Sequence, residues 1–332
     1  MKQALTYDDV LLVPQYSDIK SRKEVDIGNN LDKHWRLELP IISSPMDTVT
    51  ESDMSIAMYN AGGLGIIHRY NTIQEQCDLV RKCTWPGAAV GVTGDYLKRA
   101  INLFEVGVKV LCIDVAHGHH VLMKNAITAI KEELGDMVHI MAGNVATLQG
   151  FNDLSDWGAD SVRCNIGGGS ICSTRIQTGH GLPGLQTIID CAQSDRDTKI
   201  IADGGIRSSG DIVKALAAGA DFVMLGSMLA GTTESPGEKV VTMAGTKKKY
   251  RGMASKDAQM DWRGKYSSNE GVSTLIDFKG PVELILDDLA NGIKSGLSYS
   301  GCRTIAELQS KAQFVQQTSA GLGESRTHIL SK

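Results

Sequence analysis

Cys172 has the clearest chemical setting of any residue in this sequence. It follows three consecutive glycines, Gly167 to Gly169, in the stretch Ser161-Val-Arg-Cys-Asn-Ile-Gly-Gly-Gly-Ser-Ile-Cys-Ser-Thr-Arg175, with Ser170 before it and Thr174 and Arg175 after it. Glycines let a backbone take φ > 0 and approach a small charged ligand closely. A cysteine between hydroxyls and near an arginine sits where a thiolate could be stabilised. The plain alternative is a Gly-rich βα turn with an incidental cysteine. A thiolate here could add to an electron-poor ring carbon and split one difficult substitution into two easier steps. Thr174 could relay a proton, but an unperturbed hydroxyl is a poor acid or base at neutral pH and needs a stronger partner. Glu270, in a polar loop far along the chain, is the best candidate for that partner. A glutamate in such a loop is otherwise ordinary solvated surface.

Two further glycine turns, Ala202-Asp-Gly-Gly-Ile206 and Leu225-Gly-Ser-Met228, could cradle a phosphate with backbone N–H groups. Ser170 and Ser227 would add hydroxyl donors, and Asp203 is suited to accept from a ribose diol. Either turn alone is an ordinary tight connection; together they favour a sugar-phosphate ligand whose base lies near Cys172. His117, His119 and His120 read as a polar turn opening a helix, since no second cluster with zinc-like spacing accompanies them. A Schiff-base lysine is not expected, because no candidate strand ends in lysine.

The elements that must position these residues repeat along the chain. Apolar runs at Leu39–Ser43, Leu64–His68, Ala88–Val92, Val110–Asp114, Val138–Ala142, Val162–Asn165, Ile200–Asp203 and Phe222–Leu225 predict eight strands. Helical patterns fall between them at Glu51–Asn60, Ile73–Arg81, Tyr96–Glu105, His120–Glu133, Leu148–Trp157, Leu185–Ala192 and Asp211–Ala218. Eight strand-then-helix units point to an α/β fold, a closed (β/α)8 TIM barrel, with an open doubly wound sheet as the alternative. Polar residues collect at the C-terminal ends of the strands, where such barrels carry their active sites: Ser43, Ser44, Met46 and Asp47; His68 and Arg69; Asp114; Asn144; Asn165 onward; Asp203; Gly226 and Ser227. The strand starts are blander, with Lys109 and Lys199. The expected organisation is one barrel domain over 1–332, with an N-terminal arm 1–38, a flap inserted after strand eight over about 231–280, and a tail from about 316 without clear periodicity. Within the insert, Lys248–Ser255 reads as ordered and Asp261–Gly271 as a mobile flap, since loops of this length are usually lids or disordered.

Composition narrows the class. The chain has 332 residues, 42% hydrophobic and 22% charged, with a net charge of −4, so no basic surplus points to nucleic acid. No apolar run is long enough to span a bilayer and the N-terminus lacks a signal-peptide core. Seven cysteines without a CxxC pair read as reduced thiols of a cytoplasmic protein, most of them small buried hydrophobes.

Several strings together carry a specific resemblance: Thr6-Tyr-Asp-Asp-Val-Leu-Leu-Val-Pro14, Ser44-Pro-Met-Asp-Thr-Val49, Asp114-Val-Ala-His-Gly118, Met141-Ala-Gly-Asn-Val145, the Cys172 loop, Asp203-Gly-Gly-Ile206, Val223-Met-Leu-Gly-Ser227 and Tyr250-Arg-Gly-Met253. Over about residues 5–315 the chain resembles the IMP dehydrogenase/GMP reductase family. The resemblance implies that Cys172 attacks C2 of a purine nucleotide while a nicotinamide exchanges hydride at the same carbon, with Thr174 and Glu270 handling protons. It implies that Ser170, Asp203, Gly204, Gly205, Gly226 and Ser227 hold the ribose phosphate, and that Gly252, Met253, Ser255 and Gly271 face the base. Arg69, Asp114, Val115, Ala116, Ile166, Gly167 and Tyr266 would meet the cofactor. Carbonyls of Gly167, Gly169, Cys172 and Arg175 would hold a monovalent cation, K+, and the assembly would be a homotetramer.

Within the family, the pattern favours GMP reductase with NADPH over an IMP dehydrogenase with NAD, and a catalytically silent nucleotide-binding barrel stands behind both. His68–Arg81 runs straight on to Gly87–Val92, leaving no room for CBS repeats. The flap lacks an adjacent Arg-Tyr pair, although Arg263 and Tyr266 lie three apart. Tyr266-Ser-Ser-Asn-Glu-Gly271 and Phe278-Lys-Gly280 look like the reductase pattern. Four departures stand beside this: Ser267 replaces a usual arginine, Gly168 replaces a usual proline, Arg69 is a lysine in many relatives, and Ser44-Pro-Met-Asp47 reads closer to the dehydrogenases.

Overall fold

The computed structural model describes residues 3–327. Its centre is a closed barrel of eight parallel strands: β1 (Ile41–Ser43), β2 (Leu64–Ile67), β3 (Gly87–Val90), β4 (Val110–Asp114), β5 (His139–Val145), β6 (Ser161–Cys164), β7 (Lys199–Asp203) and β8 (Phe222–Leu225). β8 closes onto β1 in parallel register, Val223 beside Ile41 and Leu225 beside Ser43. All eight expected strands are present, with ends shifted by up to three residues. The open-sheet alternative is excluded by the closure.

The strands are apolar on both faces because both are covered. Successive residues point to opposite sides, so Ile42, Leu64, Ile66, Val110, Cys112, Met141, Ile201, Phe222 and Met224 fill the barrel interior. Ile41, Ile67, Leu111, Ile140, Val162, Ile200, Val223 and Leu225 instead pack against the helices. Those helices are α1 (Ser52–Asn60), α2 (Ile73–Arg81), α3 (Tyr96–Glu105), α4 (Val121–Leu134), α5 (Leu148–Asp156), α6 (Gly184–Cys191), α7 (Ser209–Ala217) and α8 (Val282–Tyr299). Only residues 82–86 separate α2 from β3, so no domain is inserted there. No helix among the described residues is long and apolar enough to cross a membrane.

The lower end of the barrel is less bland than its sequence. A hairpin pairing Asn29–Asn30 with Arg36–Leu37 brings Leu31 and Leu37 to the interior cluster, and Trp35 packs on Trp85 with ring centroids 4.8 Å apart. His139 is buried there between Asp32 (2.9 Å) and Ser161 Oγ (2.8 Å). The repeated Gly-Ala-Asp turns have a shared purpose. Gly158 and Gly219 take φ of +110° and +113°, and the aspartates that follow accept strand N–H groups: Asp160 from Ile140 at 2.7 Å and Asp221 from Ile200 at 2.9 Å.

After β8 the chain leaves the barrel for residues 226–280. An antiparallel sheet of Lys239–Thr242, Gly245–Arg251 and Ser273–Asp277 stands there beside a helix, Lys256–Arg263. The stretch expected to be mobile from Asp261 therefore begins inside a helix. It is anchored as well: Arg251 pairs with Asp261 and with Asp47 (2.5 Å), and Trp262 stacks on Tyr70. The tail has order too, since Phe314–Gln316 pairs antiparallel with Val10–Leu12 and Ser319–Glu324 is helical. The end of the expected tail, 328–332, lies outside the described residues.

Candidate active site

A cavity of about 290 Å³ opens at the C-terminal ends of the strands. Cys172 lies half-buried on its wall and donates to Thr174 Oγ1 at 3.2 Å; Thr174 Oγ1 donates to Glu270 Oε2 at 2.8 Å. Ser268 Oγ holds the other carboxylate oxygen at 2.8 Å. Residues ninety-odd positions apart meet because the flap adds to the Cys172 loop as a strand would. Val272 N–H donates to Ile171 O and Ser173 N–H to Glu270 O, both at 3.0 Å. Gly271 is the crossing point: a Cβ there would stand 3.0 Å from Ser255 N.

The glycine run closes back on the barrel. Asn165 Nδ2 donates to Asp203 O at 2.9 Å, pinning the loop to the end of β7. Gly168 packs on that amide so tightly that a Cβ would come within 2.1 Å of it. No proline ring fits beside this Asn165. At the far end of the cavity, Gly204 and Gly205 take φ of +80° and +76°, a conformation that side chains resist. Gly205, Gly226, Ser227 and Ser170 surround that end, and Lys279 Nζ fixes the Ser227 carbonyl at 2.6 Å. The Tyr250 hydroxyl joins them, 3.4 Å from Ser170 Oγ; burial raises its pKa.

On the opposite side, Arg69, Asp114, Val115, Ala116, Ile166 and Gly167 line the wall. Arg69 Nη2 donates to Asp114 O at 3.1 Å, while its buried Nε makes no hydrogen bond and lies 3.8 Å from Asp114 Oδ2. Arg163, rising from β6 between the two sides, pairs with Asp114 (2.6 Å) and with Asp203 (2.8 Å). Burial works against its charge, but the carboxylates of Asp203 and Asp114 outweigh that and raise its pKa well above the usual arginine value.

Four expected site residues stand off the cavity. Ser255 is buried, its hydroxyl accepting from Ala258 N–H as the cap of the flap helix, and Gly271 serves the backbone crossing. Tyr266 lies outside, its ring 4.9 Å from Lys256 Nζ. Arg175 turns away and donates to Leu182 O (2.5 Å) and Ile166 O (3.1 Å), while its own carbonyl accepts from Gly179 N–H. Ser267 bonds Gln259 rather than facing the cavity. The expectation missed Arg163 and Tyr250. The signal for Arg163 was a lone charge inside the apolar run Val162–Cys164. Tyr250 carried no signal beyond its place in the Tyr250–Met253 string.

A parallel eight-stranded barrel with a cysteine–threonine–glutamate line at its mouth is the class these features define. The model of the IMP dehydrogenase / GMP reductase domain matches residues 4–328, and the chain belongs to this family of oxidoreductases. It is 34% identical to an inosine-5'-monophosphate dehydrogenase of Nitrosopumilus maritimus, covering 98% of each chain. It is 31% identical to a GMP reductase of Leishmania donovani, covering 100% of this chain and 98% of the other. Its fold is similar to a cysteine-to-alanine variant of Trypanosoma brucei GMP reductase solved with guanosine 5'-monophosphate, with a TM-score of 0.95, 32% identity and 99% and 98% coverage.

Proposed function

We propose that this protein is an NADPH-dependent GMP reductase. The observation that carries the reading is the unbroken line from Cys172 through Thr174 to Glu270, with Arg263 and Tyr266 both off the cavity wall. Hydrolysis by a dehydrogenase requires a base that activates water, and the flap offers none beside Glu270. Reductive deamination requires an acid instead. The Cys172 sulfur forms a bond to C2 of GMP and gives its thiol proton to the Thr174–Glu270 line; returned through Thr174 to the 2-amino group, that proton lets the group leave as ammonia. The resulting thioimidate is released as IMP when hydride arrives at C2 and the C–S bond breaks. NADPH supplies that hydride when bound, and Arg69, Asp114, Val115, Ala116, Ile166 and Gly167 would hold it.

The neighbouring GMP complex of the T. brucei enzyme supports GMP as the nucleotide. In this reading Asp203 takes the ribose hydroxyls, and Ser170, Gly205, Gly226, Ser227 and Tyr250 surround the phosphate. For K+, the carbonyls of Gly167, Gly169, Cys172 and Arg175 would be the ligands; Gly169 O and Arg175 O each accept one N–H and keep a second lone pair. A homotetramer in the cytoplasm belongs to the same reading, and light scattering tests the assembly.

The second reading is IMP dehydrogenase with NAD, favoured by the name of a relative 37% identical from Cryptosporidium parvum. The missing insert does not separate the two. Alignments exceed this chain's 332 residues under both names, at 470 positions for the N. maritimus dehydrogenase and 482 for the L. donovani reductase. Side-by-side assays decide: GMP-dependent loss of NADPH absorbance with ammonia release supports the reductase, and XMP from IMP and NAD overturns it.

A further inference from the structure

We infer that Arg163 is a positioning residue that ties the nucleotide side of the site to the cofactor side by pairing with one carboxylate on each. The inference rests on the proposed reading, in which Asp203 meets the ribose of the nucleotide and Asp114 the cofactor. Arg163 comes from the middle of β6 and its side chain is 7% exposed. Its Nη1 donates to Asp114 Oδ1 at 2.6 Å, and its Nε and Nη2 donate to Asp203 Oδ2 at 3.0 and 2.8 Å. Asn144 Nδ2 donates to the same Asp203 oxygen at 2.7 Å. Three donors thus converge on Oδ2 and leave Oδ1 to a ligand. The fork is geometric: a planar guanidinium can serve two carboxylates at once, and a lysine ammonium cannot match it.

The surroundings make Arg163 hard to replace. Around Asp203 stand Tyr7, Cys112, Cys164 and Tyr250, all neutral at pH 7. Around Asp114 stand Cys112, Tyr70 and Arg69, the last with Nε 3.8 Å from Asp114 Oδ2. Among the described residues, Arg163 is therefore the one cation in ion-pair contact with Asp203. Without it, Asp203 would be a buried carboxylate held by the Asn144 amide alone, and its pKa would climb. Protonation would then cost it the acceptor that a ribose hydroxyl needs.

The test measures binding of GMP and of NADPH, each alone, by calorimetry from pH 5.5 to 8.5. Wild type, Arg163→Gln, Arg163→Lys and Asp203→Asn are compared at each pH, which cancels titration of the ligands. For Arg163→Gln the GMP affinity relative to wild type should fall as the pH drops through the raised pKa, by about tenfold per pH unit. Asp203→Asn should be weak by the same ratio at every pH. Arg163→Lys should restore one ligand and leave the other weakened. A constant ratio for Arg163→Gln across the range, with Asp203→Asn impaired, marks a merely structural arginine and overturns the inference. If Arg163→Gln does not fold, Arg163→Lys decides, and wild-type affinity for both ligands overturns it. Equal binding of GMP and its 2'-deoxy form to wild type, with Asp203→Asn harmless, instead overturns the ribose reading beneath it.

Discussion

At the scale of single residues, the seven cysteines separate by environment. Burial pushes the Cys112 thiol up to about 12 and raises Cys77, Cys83, Cys164 and Cys302 as well. Cys172 stands apart on the cavity wall, so iodoacetamide should label it first and GMP should protect it; mass spectrometry showing equal labelling of Cys83 or Cys302 would contradict this. Cys172→Ala should abolish turnover while retaining GMP, because the Ser170–Ser227 cradle does not involve the sulfur. Near wild-type turnover by that variant would sink the covalent mechanism. Glu270→Gln removes the acid from a line whose middle member is only a hydroxyl. Single-turnover ammonia release should slow by about 10²–10⁴-fold, with hydride transfer from pre-formed IMP to NADP+ much less affected. Unchanged ammonia release would remove Glu270 from the chemistry.

At the scale of elements, α8 packs against α7 on the outside of the barrel. Their contact runs through two glycines: a Cβ on Gly292 would fall 2.2 Å from Ser209 Oγ, and one on Gly296 would fall 2.5 Å from Val213 Cγ2. Val213 is β-branched and cannot rotate aside. Gly296→Ala should therefore destabilise by about 2 kcal/mol in urea unfolding, despite alanine's better helix propensity. Adding Val213→Ala should return part of that loss; strict additivity of the two would refute the close-contact account. The strands were legible because each buries both faces and so reads as an unbroken apolar run, as in Ile200-Ile201-Ala202. The Cys172 loop was legible because its glycines and hydroxyls are contiguous. The flap sheet was not, because Lys247-Lys-Lys249 shows no apolar alternation and its order comes from pairing with Ser273–Asp277. Arg163 was not, because its meaning lies in Asp114 and Asp203, forty-nine and forty residues away. Gly168 illustrates the same limit: its departure from proline makes sense only once Asn165 is seen against it.

At the scale of the whole molecule, the N-terminal arm is strapped along one side of the barrel. Gln186 N–H reaches Leu5 O, Lys214 Nζ reaches Tyr7 O at 2.8 Å, and Arg207 and Arg303 hold Asp8 and Asp18. Bonds from these arginines lower the pKa of both aspartates. A depressed carboxylate contributes stability above its unfolded pKa of about 3.9 and loses it as pH falls through the lower folded value. The arm should therefore loosen below about pH 4 while staying fixed from pH 5 to 8. Pepsin at pH 3 should cut within residues 3–38 before it cuts the barrel; simultaneous cleavage of both would show the arm is not a separate unit. The pairing of Val10–Leu12 with Phe314–Gln316 has a consequence for biosynthesis. Val10–Leu12 leaves the ribosome long before its partner Phe314–Gln316 does. Tyr7 and Asp8, which line a cavity together with Ser170, Gly205 and Ser227, wait on that late partner. A nascent chain can thus close its barrel while Val10–Leu12 is still unzipped, and binding in that cavity should mature only once Phe314–Gln316 has emerged.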